Sequence, residues 1–113
     1  MKDWKIGIVG IGMVGTPLKR WFEKIGYKRN SDLFLSDIDP EKGYFDDINM
    51  ADIIFIAVPT PRNFDGRCDL SAVKDTFWKI NEYLTKIIVI KSTVPPGTTE
   101  YFQKIYSKWK ILF

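Results

Sequence analysis

KIGIVGIGMVGTPLKRWFEKI, residues 5–25, contains the pattern from which the architecture of this chain can be inferred. Its apolar run Ile6–Val9 predicts a short strand buried on both faces. Three glycines follow in the spacing GxGxxG, and beyond them apolar residues recur at helical spacing: Val14, Leu18, Trp21, Phe22 and Ile25. Strand, glycine turn and helix in this order form the context in which GxGxxG indicates a site for the diphosphate of a dinucleotide.

Each glycine of the motif has a separate expected role. Gly10 permits the tight turn, Gly12 leaves room for a diphosphate near the backbone, and Gly15 lets the helix pack closely on the strand. The free N–H groups and partial positive charge at the start of the helix favour a bound anion. The alternative is a glycine-rich strand-to-helix turn that binds nothing.

Composition excludes several classes of function. With 113 residues, 45% of them hydrophobic, the chain is predicted to form a single domain over residues 1–113. Its net charge of +3 is spread along the chain, which argues against a nucleic-acid groove. No apolar run approaches the ~20 residues of a membrane span, so no membrane partner is expected.

The cysteine and histidine counts limit the disulfides, metal sites and catalytic bases that the chain can form. The single cysteine, Cys68, cannot form an internal disulfide, which agrees with the reducing cytoplasm. The chain has no histidine, so we expect neither a metal site nor a mechanism with a histidine base.

A second strand at Leu33–Leu35 ends close to Asp37, which lies 22 residues beyond Gly15. A carboxylate in this position can accept hydrogen bonds from the adenosine ribose, and its charge repels the 2′-phosphate of NADP, so it selects NAD. Two alternatives remain open: Asp37 caps a turn in DIDPEK, or Asp39 binds the ribose although its place before Pro40 is typical of a turn.

The remaining strands complete a parallel sheet. Asp52–Val58 predicts a central strand that stops at the rigid Pro59–Pro61, and Ile87–Ile90 predicts a fourth strand before the loop Lys91–Gly97. Ile111–Phe113 predicts a fifth strand at an edge. Two intervening helices are expected to bury one stripe each: Val73, Phe77, Ile80 and Leu84 in the first, and Phe102, Ile105 and Tyr106 in the second.

Strands connected through helices are parallel with right-handed crossovers. We therefore predict a Rossmann-like, doubly wound α/β domain of about five strands in the order 2-1-3-4-5. The loops that follow the strands then gather on one rim of the sheet, where ligands of this fold bind.

Five segments together resemble the amino-terminal, NAD-binding domain of the UDP-glucose/GDP-mannose dehydrogenase family: GIGMVGTPL, SDIDPEK, ADIIFIAVPTP, DGRCDLS and IKSTVPPGTTE. Enzymes of this family oxidise a nucleotide-sugar alcohol to the acid and pass two hydrides to NAD. The resemblance implies that NAD is the cofactor of this chain.

The resemblance also implies roles for individual residues. Gly12, Met13 and Val14 would lie along the diphosphate, Thr60 and Pro61 would border the nicotinamide half, and Thr93 would order a water in the active site. Lys42, which completes a DxxxxK pattern, would lie near the adenine side, although a solvated surface cation is an equal alternative for Lys42 and for Arg62. The full predicted cofactor site is Gly10, Gly12, Met13, Val14, Gly15, Asp37, Lys42, Val58, Pro59, Thr60 and Thr93.

The sequence departs from the family in two places. The segment Gly43–Ala51 is shorter than in the family, which predicts that the Leu33–Asp37 strand lies at the edge of the sheet. The chain also stops at ILF, before the domains that carry the catalytic cysteine and the nucleotide-sugar pocket. Cys68 lies in a loop with no histidine to activate it and is not expected to replace that cysteine.

The expected function is therefore that of a cofactor domain. Alone it should bind NAD without turnover, and it should meet a nucleotide sugar only when the other domains are supplied. The alternative is a non-enzymatic nucleotide-binding or interaction module derived from the same domain. Aromatic residues near the end of the chain also predict homo-oligomers through exposed surface: Tyr101, Phe102, Tyr106, Trp109 and Phe113.

Overall fold

The computed structural model describes residues 4–113, in which strands and helices alternate along the chain. The two short connections after the second strand are 3₁₀ turns, at Pro40–Lys42 and Ile48–Met50. The main elements are β1 (Ile6–Val9), α1 (Gly15–Lys24), β2 (Leu33–Ser36), β3 (Ile53–Ile56), α2 (Ser71–Lys79), β4 (Lys86–Ile90), α3 (Thr98–Ile105) and β5 (Trp109–Leu112).

The five strands form one parallel sheet in the order β2-β1-β3-β4-β5, which confirms the predicted topology. The register pairs Ile8 with Leu35 on one side and with Phe55 on the other. Because all strands run the same way, the loops that follow β1, β2, β3 and β4 lie on one rim.

Two apolar clusters hold helices to opposite faces of the sheet. On one face, Phe77 of α2 and Phe102 of α3 pack with ring centroids 4.4 Å apart over the central strands. On the other face, Phe22 of α1 contacts Phe55 of β3 at 5.7 Å, with Leu18 beside it. Full burial of a side chain of this size contributes roughly 1.5–3 kcal/mol.

Three of the five apolar residues that recur at helical spacing are exposed: Trp21 lies on α1, and Val14 and Ile25 flank its two ends. Val14, Trp21 and Ile25 are 44%, 55% and 45% exposed, whereas Leu18 and Phe22 make the contact with the sheet. The apolar stripe of α1 is thus wider than the surface it covers. Elsewhere Leu84 is exposed because α2 already ends at Lys79, and Ile105 is exposed near the end of α3: both were predicted to be buried.

The fifth strand begins earlier than predicted, at Trp109 rather than Ile111. Trp109 is buried because its ring stacks on Tyr106 at 4.3 Å and its Nε1 donates to the carbonyl of Leu84 at 3.0 Å. Of the aromatic residues predicted to include exposed surface, Tyr101 and Phe113 are exposed while Phe102 and Trp109 belong to the core. Association through this surface stays a prediction.

The central strand β3 is shorter than the predicted Asp52–Val58. Its pairing with β1 continues as far as Ala57, whose N–H donates to the carbonyl of Val9 at 2.8 Å. β1 then turns away at Gly10, so the chain beyond Ala57 enters a loop.

β2 lies at the edge of the sheet, as predicted, but the edge is covered. The short segment 44–46 lies antiparallel to it, because Asp37 N donates to Tyr44 O at 3.0 Å and Asp46 N donates to Leu35 O at 2.9 Å. The Asp46 carboxylate also accepts from Leu35 N at 2.9 Å and from Arg29 Nε at 2.9 Å. The edge position of β2 was predicted, whereas its pairing with the shortened connection was not.

Candidate functional site

The glycine turn after β1 has the geometry that its sequence predicts. Gly10 has a φ of +93°, and a Cβ there would lie 2.6 Å from the carbonyl oxygen of Ala57. A Cβ on Gly15 would lie 1.8 Å from the carbonyl oxygen of Gly10, so α1 can begin there only without a side chain. A Cβ on Gly12, in contrast, meets nothing within 4 Å, which leaves open space beside the turn.

The end of α1 at this turn is suited to an anion. Of its first three residues, Thr16 donates its N–H to the carbonyl of Gly12 at 3.0 Å and Pro17 has no N–H, so Gly15 supplies the N–H that can donate to an anion. The cap position, Val14, supplies no side-chain hydrogen bond, and no acidic residue lies in the first turn. The partial positive charge of the helix end is therefore uncompensated by its own side chains.

Asp37 is tied directly to the glycine turn. Its Oδ2 accepts from the N–H of Ile11 at 2.7 Å, and its Oδ1 accepts from the N–H of Asp39 at 2.9 Å. The Lys42 ammonium lies 3.5 Å from the same Oδ2 and donates to the carbonyl of Ile11 at 2.9 Å. The structure thus brings the predicted acid, the predicted lysine and the glycine turn into one hydrogen-bonded network.

The Asp37 carboxyl is held in its charged form. Burial alone would raise its pKa, but the N–H groups of Asp39 and Ile11 and the charge of Lys42 outweigh burial and lower the pKa below the ordinary value. The side chain is only 9% exposed, because the turn and Lys42 cover it. Asp39 acts differently, since its carboxylate accepts from Glu41 N and starts the 3₁₀ turn, as its turn sequence suggested.

The loops after β3 and β4 are joined by side-chain hydroxyls. Thr60 Oγ1 donates to the carbonyl of Thr93 at 2.6 Å, and the buried Ser92 donates to the carbonyl of Val58 at 2.7 Å. Pro59 and Thr93 are exposed on the rim. Sequence reasoning missed Ser92; the hydroxyl pair in KST was the available signal for a contact between these loops.

A cleft of about 600 Å³ opens beside this junction. Cys68 lines it with its Sγ 3.6 Å from the carbonyl of Thr60 and 3.7 Å from that of Thr93, so the thiol faces carbonyl oxygens. The other lining residues are Arg62, Gly66, Arg67, Val94, Pro95 and Pro96.

Residues 4–113 contain neither a cluster of metal-ligating side chains nor a helix that could span a membrane. No three histidine, cysteine, aspartate or glutamate side chains come together there in a group that could hold a metal ion. No helix in this part of the chain is both long and apolar enough to cross a membrane.

Comparison with known proteins places residues 37–111 in the UDP-glucose/GDP-mannose dehydrogenase family, NAD binding domain. The glycine turn precedes this matched segment. Among relatives, the UDP-glucose 6-dehydrogenase TuaD of Bacillus subtilis is 48% identical over 63 residues, which cover 54% of this chain and 14% of that protein. The UDP-N-acetyl-D-mannosamine dehydrogenase of Methanococcus vannielii is 32% identical over an alignment covering 90% of this chain and 30% of that protein.

Solved structures share the fold. A UDP-glucose dehydrogenase from Pyrobaculum islandicum superposes on 96% of this chain with a TM-score of 0.73 at 22% identity, over 34% of its own length. A GDP-mannose dehydrogenase from Pseudomonas aeruginosa gives a TM-score of 0.71 at 17% identity, over 95% of this chain and 35% of its own.

The chain spans a minor part of each of these proteins, 14% of TuaD and 34% of the Pyrobaculum structure. The matched segment nevertheless covers about two thirds of the chain and begins at Asp37, the acid that contacts the glycine turn. This chain belongs to the UDP-glucose/GDP-mannose dehydrogenase family, as part of its NAD binding domain.

Proposed function

We propose that NAD lies along the rim formed by the carboxyl ends of β1, β2, β3 and β4. The adenosine ribose would lie at Asp37 and Lys42, the diphosphate on the turn Gly10–Gly15, and the nicotinamide toward Thr60 and Thr93. The observation that carries this proposal is the hydrogen bond of 2.7 Å between Asp37 and Ile11 N, because it sets the acid beside the glycine turn.

The residues present fit a dinucleotide. The open space at Gly12 gives a diphosphate access to the backbone, and the start of α1 offers the N–H of Gly15 and its partial positive charge at the same place. Met13 is 96% exposed and Val14 44%, so both are accessible at this position. Asp37 keeps a charged carboxylate for the ribose hydroxyls.

The nicotinamide half of the rim would lie where the reaction takes place. Bound NAD supplies the acceptor for a hydride from an alcohol carbon. Val58, Pro59 and Thr60 would border the nicotinamide half, while Thr93 presents an exposed hydroxyl that can order a water. The bonds from Ser92 to Val58 and from Thr60 to Thr93 join these two loops, and this support would help to hold the nicotinamide in place for hydride transfer.

The substrate of the whole enzyme would be a nucleotide sugar, oxidised at its alcohol carbon. We propose that residues 4–113 bind NAD but do not turn over without further domains, which would supply the nucleophilic cysteine and the sugar pocket. Cys68 does not take that part, because its thiol faces two carbonyl oxygens and the chain has no histidine to remove its proton.

Titration calorimetry with NAD and NADP tests the cofactor proposal. We expect one NAD per chain, weaker binding of NADP, and a smaller difference between the two for Asp37→Asn, which keeps an acceptor oxygen but loses the charge. Equal affinity of the unaltered chain for both cofactors would contradict the role of Asp37, and no binding of either would contradict the whole proposal. NADH production from UDP-glucose by this chain alone would contradict the proposed dependence on further domains.

A further inference from the structure

Arg29, in the connection between α1 and β2, contacts the segment 43–46 beside β2, which we call the edge segment. Its Nε donates to Asp46 Oδ2 at 2.9 Å, and its Nη2 donates to Asp46 Oδ1 at 3.0 Å and to the carbonyl of Gly43 at 2.8 Å. The guanidinium also lies 4.9 Å from the centre of the Tyr44 ring. One side chain therefore contacts three of the four residues of the edge segment.

The backbone around Arg29 is fixed beside the start of β2. The N–H of Asn30 donates to the carbonyl of Leu33 at 2.8 Å, and the N–H of Lys28 donates to Asp32 Oδ1 at 2.6 Å. Arg29 itself pairs with Leu33 in a single parallel bridge. The guanidinium therefore reaches the edge segment from a hydrogen-bonded turn.

The planar guanidinium suits the carboxylate that it binds. Two of its N–H groups meet the two oxygens of Asp46, which is the arrangement in which arginine and a carboxylate bind most strongly. The Asp46 side chain is 7% exposed, whereas that of Arg29 is 38% exposed. Loss of the arginine would leave a nearly buried carboxylate without its counter-ion, so the edge segment would have to move to rehydrate it.

The edge segment is also joined to the residues of the proposed cofactor site. The N–H of Asp37 donates to the carbonyl of Tyr44 at 3.0 Å, and Gly43 directly follows Lys42 in the chain. The Lys42 ammonium in turn lies 3.5 Å from Asp37 Oδ2. The guanidinium is therefore connected to both residues through the backbone of Gly43 and Tyr44.

We propose that Arg29 is a positioning residue of the cofactor site, which through the edge segment keeps Asp37 and Lys42 in place for the adenosine ribose of NAD. This inference rests on the proposed function, because it assigns the ribose to Asp37. Binding groups keep their geometry only when neighbouring contacts hold them, so a less supported Asp37 should bind the ribose less tightly. A purely structural arginine would stabilise the β2 edge without affecting NAD binding by the folded chain.

Hydrogen exchange tests whether Arg29 acts on Asp37, without any cofactor. In Arg29→Met, which keeps an unbranched side chain but loses its donors, we expect the Asp37 amide to exchange at least about tenfold faster than in the unaltered chain. The Gly10 amide, which donates to Ser36 O at 2.8 Å on the other side of β2, should change less than about threefold. The same change in both amides, or no change in either, would overturn the proposal.

Titration calorimetry tests the consequence for NAD, at a temperature where every variant is folded. We expect Arg29→Met to raise the NAD dissociation constant about three- to tenfold. The control Lys28→Met removes the same charge from the neighbouring exposed position and should leave the constant within about twofold. Arg29→Lys keeps the charge without the planar fork, so it is expected to behave like Arg29→Met and replaces it if the methionine variant does not fold.

The outcomes for NAD separate this inference from the proposed function. The same NAD affinity in the unaltered chain and in the Arg29 variants would overturn the inference and leave the proposed function standing, since the unaltered chain still binds NAD. Absence of NAD binding by the unaltered chain would overturn the proposed function, and the inference with it.

Discussion

At the scale of single residues, two glycines of the turn after β1 have different surroundings. Gly12 and Gly15 belong to one motif, yet an added side chain meets open space at the first and a carbonyl oxygen 1.8 Å away at the second. The same kind of substitution should therefore have opposite effects at the two positions.

We expect Gly12→Val to weaken NAD binding at least about 100-fold, because its side chain fills the space of the diphosphate, and to leave the melting temperature almost unchanged. Gly15→Ala should instead lower the free energy of unfolding by about 1–3 kcal/mol, because α1 must move away from the turn. Calorimetry and thermal unfolding of both variants provide the measurements. A Gly12→Val chain that binds NAD normally would place the diphosphate elsewhere.

Lys42 should influence the choice of cofactor through its neighbour. Its ammonium, 3.5 Å from Asp37 Oδ2, offsets part of the negative charge that repels a 2′-phosphate. A partly exposed pair of this kind contributes on the order of 1 kcal/mol, so Lys42→Met should raise the ratio of the NADP to the NAD dissociation constant about three- to tenfold. Lys79→Met, an exposed lysine at the end of α2 near Asn49 and therefore away from the rim, is the control for nonspecific loss of charge. An unchanged ratio in Lys42→Met would show that Lys42 does not act on Asp37.

At the scale of elements, the edge of β2 depends on a charged group. Burial raises the pKa of Asp46, but the hydrogen bond from Arg29 and that from Leu35 N outweigh burial and leave the pKa lowered. The folded chain therefore binds a proton less readily than the unfolded chain, whose aspartates have a pKa near 3.8. The stabilisation by the Asp46 carboxylate is complete at pH values above the pKa of the unfolded chain. It is lost as the pH falls through the lower pKa of Asp46 in the folded chain.

Asp46→Asn should lower the free energy of unfolding at pH 7 by about 1–2 kcal/mol and weaken its dependence on pH below about 4. Urea unfolding between pH 3 and pH 7 measures both effects, with Asp75→Asn, at an exposed position on α2, as the control. If the two variants lose the same free energy of unfolding and show the same dependence on pH in the acid range, the Asp46 carboxylate does not stabilise the β2 edge.

The same elements show how far sequence reasoning reaches. The order of strands followed from the glycine motif, the apolar runs and the handedness of crossovers, which are local signals combined with one topological rule. The closure of β2 by residues 44–46 could not be predicted, because antiparallel pairing of a short loop leaves no periodic pattern. On α1, periodicity identified an apolar stripe, but it did not show that Leu18 and Phe22 are the residues that pack against the sheet.

Three positions of the predicted site have a structural reason for their residue type. A side chain at Gly10 or Gly15 would collide with a backbone carbonyl. The carboxylate of Asp37 accepts a hydrogen bond from the N–H of Ile11, which explains the acid at this position. The contact between Lys42 and the carbonyl of Ile11 could not be predicted from the sequence, because it joins residues 31 positions apart through a flexible side chain. Their roles toward NAD stay predictions.

At the scale of the whole molecule, the two ends of the sheet carry different chemical groups. The carboxyl rim carries the glycine turn, Asp37 and the two hydroxyl-bearing loops. At the opposite end the buried Lys86 donates to the carbonyl oxygens of Asn49 and Ala51, and burial lowers the pKa of its ammonium. Binding at the rim should therefore leave the Lys86 end undisturbed.

An NAD titration followed by amide chemical shifts of the isotope-labelled chain tests the cofactor position most directly. We predict that the largest shifts fall on residues 10–15 and on Asp37, that smaller ones fall on Thr60 and Thr93, and that Lys86 and Ala51 do not move. Shifts centred on Lys86 and Ala51, or none on the glycine turn at saturating NAD, would contradict the proposed position.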